Sequence, residues 1–445
     1  MDVLLIQFVD PRAVDPPSRF DHDLGVLAAL LGADGFGVSL LTVGAYQSGR
    51  LRQAIIHNRP QVIAAKLPLE ALAPARRTLG EVARHYALPA VAFGPFATAC
   101  PKRAMSFPGV RALAMGEYDR SVPAYLRAVR DGDDTAALAG LWVQEDGELV
   151  KGPPAEPVAD LDTLPAPDRA LFDDAREVAR TGRAEFKAAR GCSLWCGYCI
   201  NDLYMDLYEQ KVPTVRRRSV GHLLAEMTDV LASTPGVRSV GFFDHAFAMD
   251  LAWLGEFAPA CKAEIGLPVA CHVRLKCVSP EAVRLLAEAG VTEVHTLLPS
   301  PSRFIREDIH GTVLSQRQAA VSLAMLKEAG FRVAAEVFIG NPYETEITLA
   351  DTLAMAAETD VDELYPRAYY PLPGTRSAEV CQENGWVSGR GERHYWMNRT
   401  VLDMPSLSAG RIDDTIRRFE QLVHGKSGGL GQWLRRALKR RSATD

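Results

Sequence analysis

Short apolar runs alternate with amphipathic stretches through the first 130 residues. Val3–Phe8, Val38–Val43, Val62–Ala65, Ala90–Phe93 and Ala112–Met115 are rich in β-branched or apolar residues. That is the pattern of strands buried on both faces of a parallel sheet. Leu24–Gly32, Leu69–Tyr86 and Asp119–Arg130 lie between them and place apolar residues at helical spacing. The alternation predicts a doubly wound, Rossmann-like sheet of about five strands over residues 1–140. Ligands of such sheets sit at the carboxyl ends of the strands.

Leu141–Val150 reads as a hairpin turning at Asp146-Gly147. Pro153, Pro154, Pro157, Pro165 and Pro167 follow, so residues 141–183 form a hairpin and a proline-rich linker. A second alternation then begins. Glu185–Ala189, Ser239–Phe243, Val269–Arg274, Glu293–Leu298, Arg332–Ile339 and Glu363–Tyr370 are the predicted strands. Val220–Ala232, Pro280–Ala289, Gln316–Gly330 and Ile347–Glu358 are among the helices between them. Six β/α units in series predict a partial (β/α)6 barrel of the TIM type over residues 184–375, with its site on the strand C-terminal face. Residues 376–445 are expected to form a short helical C-terminal segment.

Composition changes this picture little. Hydrophobic residues make up 47% of the 445 and charged ones 24%, ordinary for a globular chain of two or three domains. The net charge of −5 offers no global positive field to nucleic acid. Apolar runs such as Val26–Leu31 fall far short of the roughly 20 residues that cross a bilayer. The chain opens on a strand-like run rather than a secretory signal, so the expected compartment is the cytoplasm. The tail from Leu430 to Asp445 carries Arg435, Arg436, Lys439, Arg440 and Arg441 beside Trp433, Leu434 and Leu438. It reads as a solvated terminus, with a basic amphipathic helix touching a membrane as the alternative.

Cysteine placement changes the picture most. There are eight, and three of them, Cys192, Cys196 and Cys199, fall in Arg190-Gly-Cys-Ser-Leu-Trp-Cys-Gly-Tyr-Cys199. The other five are scattered and read as small buried side chains. A tight group of thiols in a reduced compartment points to metal. The segment directly follows the first barrel strand, which puts it on the site face. Three thiolates from one short loop can hold three irons of a cubane and leave the fourth open. A structural zinc site wants four ligands, and His222 and His245 reach this loop only through the fold.

C-x-x-x-C-x-aromatic-C after a first barrel strand resembles the signature of the radical S-adenosylmethionine (SAM) superfamily. The resemblance implies a [4Fe-4S] cluster on Cys192, Cys196 and Cys199. Its open iron chelates SAM and its electron yields a 5′-deoxyadenosyl radical. Tyr198 takes the aromatic position against the bound cofactor. The segment Val158–Asp168 resembles the linker between a cobalamin-binding domain and a radical barrel, and Gly116-Glu117 resembles that domain's Gly-Glu turn. Gly340-Asn-Pro342-Tyr-Glu-Thr345 resembles the segment after the fifth barrel strand, and Tyr370-Pro-Leu-Pro-Gly-Thr375 the sixth-strand turn. Together these resemble the cobalamin-dependent radical SAM enzymes, with a Rossmann-like cobalamin domain ahead of the barrel.

The same resemblance implies cofactor-binding roles for Tyr198, Asp244, Gly340, Pro342, Gly116 and Glu117. Arg274 ends the third barrel strand, where a cation can pair with a carboxylate. His245 and His272 read as packing or solvent-facing residues, and Arg367, Tyr369 and Tyr370 stand near the substrate pocket. Relatives carry a glutamate after the fourth strand; Leu297-Leu-Pro-Ser-Pro301 has no carboxylate there. In the N-terminal domain, Asp21-His22-Asp-Leu-Gly25 matches the His-x-x-Gly part of a cobalt-ligating motif but not its Asp two residues before the His. Lys66 and Leu67 replace the usual Ser or Thr, and Gly94 permits close backbone approach to a bulky ligand. The implied partners are a small-molecule substrate and an electron donor such as flavodoxin or ferredoxin. The implied activity is methyl transfer to an unactivated carbon. Radical cyclisation or rearrangement without methyl transfer, and a degenerate non-catalytic cluster protein, are the alternatives.

Overall fold

The computed structural model describes residues 1–9, 20–44, 48–69, 71–145, 147–172, 174–208, 215–245, 247–390 and 393–424. The chain divides into two compact units. One comprises Met1–Arg180 with Ile200–Arg216, the other Thr181–Cys199 with Arg217–Asp445.

In the first unit β1 (Asp2–Phe8), β2 (Gly37–Val43), β3 (Val62–Lys66), β4 (Ala90–Phe93) and β5 (Val110–Ala114) form a parallel sheet in the order 2-1-3-4-5. The hairpin β6 (Leu141–Glu145) and β7 (Glu148–Lys151) extends this sheet rather than standing apart, because β6 pairs antiparallel with β5. The sheet therefore has seven strands where the sequence pattern predicts about five. Helix His22–Ala33 starts where the Asp21 carboxylate accepts the Leu24 N–H at 3.0 Å. Leu24, Leu27 and Leu31 of this helix are fully buried in the core around β1, β3 and β5, each contributing about 2–3 kcal/mol.

The second unit holds six parallel strands in chain order: β8 (Arg183–Phe186), β9 (Ser239–Phe242), β10 (Val269–His272), β11 (Val291–Leu297), β12 (Arg332–Ile339) and β13 (Glu363–Ala368). Val240, Phe242, Cys271, Val294, Val333 and Val337 on these strands are fully buried. Among the alternate positions, Arg183, His272, Glu293, His295 and Glu336 are polar and stand on the concave face. Arg183 on β8 reaches Glu293 on β11 at 3.3 Å although β9 and β10 lie between them in the sheet. Only a strongly curved sheet permits that contact, so this is the inside of an open barrel.

The return helices start at side-chain caps: Ser219, Asp250, Ser279, Ser315 and Thr345 each accept a backbone N–H of the first turn. Each cap contributes about 1 kcal/mol and fixes where a strand-to-helix loop ends. Beyond β13 come the helices Arg376–Glu383, Arg393–Trp396 and Ala409–His424, the last packed on β12 and β13. The basic tail Leu430–Asp445 lies outside the described residues. No helix among the described residues is long and apolar enough to cross a membrane. Cys261 and Cys381 are buried, and burial pushes both thiols up to about 12, as expected of packing residues.

Candidate active site

The loop that leaves β8 carries the three clustered cysteines, and neighbouring elements fix it at several points. Asp244, just after β9, is buried, and its two oxygens accept the N–H groups of Ala188 and Ala189 at 2.7 and 3.0 Å. That clamps the chain immediately before Cys192. The Cys199 N–H donates to the Cys196 carbonyl at 2.8 Å and closes a turn. Gly197 donates to the His310 carbonyl at 3.1 Å and accepts from the Ser377 N–H at 2.9 Å. A Cβ on Gly197 would lie 2.6 Å from the Ile309 carbonyl oxygen, and one on Gly311 (φ 67°) would lie 2.3 Å from that of Trp195. Both glycines are needed because backbone meets backbone there.

Cys196 is buried; Cys192 and Cys199 are half-buried. Burial raises the Cys192 thiol above its ordinary value, against a lowering hydrogen bond from the Leu194 backbone. A metal taking this sulfur must therefore displace a proton. Arg274 Nη2 stands 3.8 Å from Cys196 Sγ and 3.3 Å from the Tyr198 hydroxyl, while its buried Nε has no hydrogen-bond partner. A cation here offsets the negative charge of thiolates or of a cofactor carboxylate. Tyr198 is packed edge-on against His310 and Phe338 at 5.1 and 5.3 Å, and burial holds its phenol far above the ordinary range.

Among the described residues no three His, Cys, Asp or Glu side chains converge on a single-ion site. His222, considered as a zinc ligand, accepts instead from Arg218 Nε at 3.1 Å. A cubane suits this loop better, because it spreads three thiolates over three irons.

The segment after β12 forms a buried polar chain. Glu344 is fully buried and accepts the Gly340 and Asn341 N–H groups at 2.6 and 3.1 Å and Asn341 Nδ2 at 3.1 Å. Burial raises its carboxyl to about 7. Asn341 Oδ1 accepts from His310 Nε2 at 2.9 Å, and the His310 ring stacks on Tyr369. Gly340 has φ 82° with Ile412 2.8 Å from where a Cβ would stand, and Pro342 is buried beside it. The sequence pattern identifies Gly340 and Pro342 but misses His310, whose partners arrive only through the fold.

After β11, the carboxylate-free loop is held by cations and amides instead. Arg306 Nη1 and Gln316 Nε2 each donate to the Ser300 carbonyl at 2.9 Å. The buried Ser300 hydroxyl has no partner. Arg367 is engaged by Glu336 at 2.7 Å, and Tyr370 meets the Tyr395 ring at 5.0 Å.

In the first unit, the candidate residues are occupied in ways their spacing does not reveal. Gly25 is buried under Pro167 of the linker, where a Cβ would stand 2.8 Å from the Pro167 Cβ, and its carbonyl accepts the Asp168 N–H at 3.0 Å. His22 opens the helix that Asp21 caps, and the Asp21 carboxylate also pairs with Lys66. Gly94 (φ 97°) follows β4, where a Cβ would press on the Leu67 carbonyl at 3.2 Å. Gly116 (φ 73°) has the Tyr208 hydroxyl 2.2 Å from its Cβ position. The Glu117 carboxylate is taken by Arg216, with Nη1 at 3.0 Å, and by the Val158 N–H at 3.2 Å. Glu117 thus ties Arg216 and Val158 to the Gly-Glu turn.

Comparison with known proteins places these observations. Residues 187–356 match the Radical SAM superfamily. An uncharacterised methyltransferase of Pyrococcus horikoshii is 23% identical over 73% of this chain and 70% of its own. Among solved structures, the radical SAM methyltransferase TsrM from Kitasatospora setae, with tryptophan and a SAM analogue bound, aligns with a TM-score of 0.68 and 18% identity, covering 87% of this chain and 77% of that one. The cobalamin-dependent radical SAM enzyme OxsB, with aqua-cobalamin bound, aligns with a TM-score of 0.66 and 14% identity, over 86% of this chain and 56% of OxsB. At these identities the structural likenesses speak for the fold. Residues 187–356 are therefore a radical SAM domain, in a chain with the fold of the cobalamin-dependent radical SAM enzymes.

Proposed function

We propose that this chain is a cobalamin-dependent radical SAM methyltransferase acting on an unactivated carbon of a small metabolite. The observation that carries the reading is the three-cysteine loop at the mouth of an open barrel, in a chain whose other unit is a parallel Rossmann-like sheet. When bound, the cluster and SAM supply a 5′-deoxyadenosyl radical and cobalamin supplies the methyl group.

The protein's part is positional. Cys192, Cys196 and Cys199 would hold the cluster, leaving one iron to SAM. Asp244 fixes the approach to Cys192 through the Ala188 and Ala189 N–H groups. Arg274 supplies the cation for a carboxylate and the cluster's negative charge. Tyr198, held by His310 and Phe338, would wall the cofactor, and the Gly340–Pro342 segment after β12 would offer it backbone. Cobalamin is assigned to the carboxyl edge of β1–β5, beside Gly94. An external reductant is required, with flavodoxin or ferredoxin as the donor. Cobalt ligation by His22 is checked by His22→Ala, which alters the corrin absorption if His22 is bound to the metal.

The test is anaerobic reconstitution with iron, sulfide and cobalamin, followed by reaction with SAM and a reductant. Methyl transfer yields both S-adenosylhomocysteine and 5′-deoxyadenosine, with cobalt near one per chain. The carboxylate-free loop Leu297–Pro301 favours a second reading, radical cyclisation or rearrangement. That reading yields 5′-deoxyadenosine alone. Protein that retains no cobalt overturns the methyltransferase.

A further inference from the structure

Three histidines on the concave face of the barrel have no part in holding the cluster. His272 ends β10 and pairs in register with His295 of β11. Their rings stack with centroids 5.2 Å apart and 22° between planes. His245, in the loop after β9, meets His272 edge-on at 5.0 Å and 85°. Phe243 adds a fourth ring, 5.6 Å from His272, and remains 49% exposed. An exposed phenylalanine inside a barrel gives up burial that a packed core would have used.

The row faces the hollow. His295 Nε2 donates to Glu293 Oε1 at 2.6 Å, and Glu293 is the carboxylate that Arg183 reaches across the barrel. His245 keeps exposed surface although protein surrounds it on most sides, as befits a side chain on the wall of a concavity. His245 and His272 are uncharged at neutral pH. Burial lowers His272 to about 3 and His245 to about 4, with Arg274 pressing both the same way. Among the described residues, no three His, Cys, Asp or Glu side chains converge here on a single-ion site. Of the charges facing the row, Glu293 is shared by Arg183, Arg332 and His295, and Arg274 stands on the side of His245 and His272.

What remains is a flat aromatic wall whose ring nitrogens take part in hydrogen bonds. Such a wall rewards a planar π-surface and offers little to a methylene chain. We infer that this barrel takes a flat aromatic or heteroaromatic ring as its substrate moiety, laid against Phe243, His272 and His295. The inference rests on the barrel being the reaction chamber of the proposed enzyme, and it adds the substrate class.

The test is equilibrium binding by anaerobic calorimetry to the full chain carrying its oxidised cluster and no cobalamin. The probes are indole, quinoline and benzimidazole, against cyclohexanol and octanoate. The flat rings bind at least about ten-fold more tightly than the aliphatic probes. His272→Ala and His295→Ala each weaken the flat rings by about ten-fold, while His272→Phe, which keeps a planar ring, stays within about three-fold of the parent. Iron content and circular dichroism of each variant report folding. Aliphatic probes binding as well as the flat ones, flat rings failing to bind, or folded His272→Ala and His295→Ala proteins that bind them unchanged would each overturn the inference. SAM cleavage and cobalt content are measured separately, so a failed substrate class leaves the methyltransferase reading standing, and the converse holds.

Discussion

Asp244, Arg274 and Glu344 illustrate three ways a single side chain supports this site. Asp244 has both oxygens committed to backbone N–H groups. Asp244→Ala leaves two buried donors unmatched and is expected to cost about 2–4 kcal/mol in urea unfolding. Its iron content falls as the loop before Cys192 slackens. Arg274→Met keeps the bulk and removes the cation beside Cys196. The cluster still assembles, its reduction potential falls in an EPR-monitored titration, and SAM cleavage slows by about 10–100-fold. Glu344 is a pH probe. Its carboxyl titrates at about 7 in the folded chain, above its ordinary value, because it is fully buried. Between roughly pH 4.5 and 7 the folded state therefore holds a proton that the unfolded state has lost, and this group's contribution falls as pH rises. His310, lowered to about 4 by burial, acts in the opposite sense between about 4 and 6.5. Denaturant titrations of the parent and Glu344→Gln isolate the carboxylate. Their stability difference shifts by about 3 kcal/mol between pH 4.5 and 7.5, and a constant difference contradicts this account. The three cysteines stand out in the sequence because their spacing is local, whereas Arg274 meets Cys196 and Tyr198 only through the fold. His310 and the His245–His272–His295 row do not stand out, since their meaning comes from neighbours far away along the chain.

At the scale of elements, apolar periodicity located five of the six barrel strands and the five parallel strands of the first unit, because each is buried on the face that the pattern marks; the first barrel strand, expected at Glu185–Ala189, runs instead from Arg183 to Phe186. Helix Ser48–Asn58 escaped, since only Leu51 and Ile55 of its eleven residues are buried and the rest read as loop. Helix Leu251–Glu264 lay hidden behind Pro259 in its interior. The hairpin was recognised, but its pairing with β5 is tertiary and left no local trace. The helix Asn201–Leu207 and Tyr208 sit on the Gly116-Glu117 turn. Gly116→Ala puts a methyl group where the Tyr208 hydroxyl stands and forces positive φ on a Cβ-bearing residue. The expected cost is about 1–3 kcal/mol, with faster hydrogen exchange concentrated in residues 200–208. Exchange unchanged in that segment would show that the turn is not what seats it.

At the scale of the whole chain, replacing Cys192, Cys196 and Cys199 together with Ala is expected to abolish bound iron, the brown absorbance and 5′-deoxyadenosine formation, while cobalt binding persists. Iron unchanged in that protein would remove the cluster from this loop. The two compact units are not strung end to end. The third thiol is the last residue of one unit before the chain passes into the other, and it returns only at Arg217. This interleaving limits how the protein can be dissected or recombined. A barrel expressed alone from residue 181 would still carry residues 200–216, stripped of the turn that Tyr208 and Arg216 grip, with those two side chains bare to solvent. Anyone grafting this barrel onto a foreign corrinoid module would therefore have to transplant that seventeen-residue excursion as property of the donor's first half, or expect the iron-bearing loop to lose its footing one peptide bond downstream of Cys199.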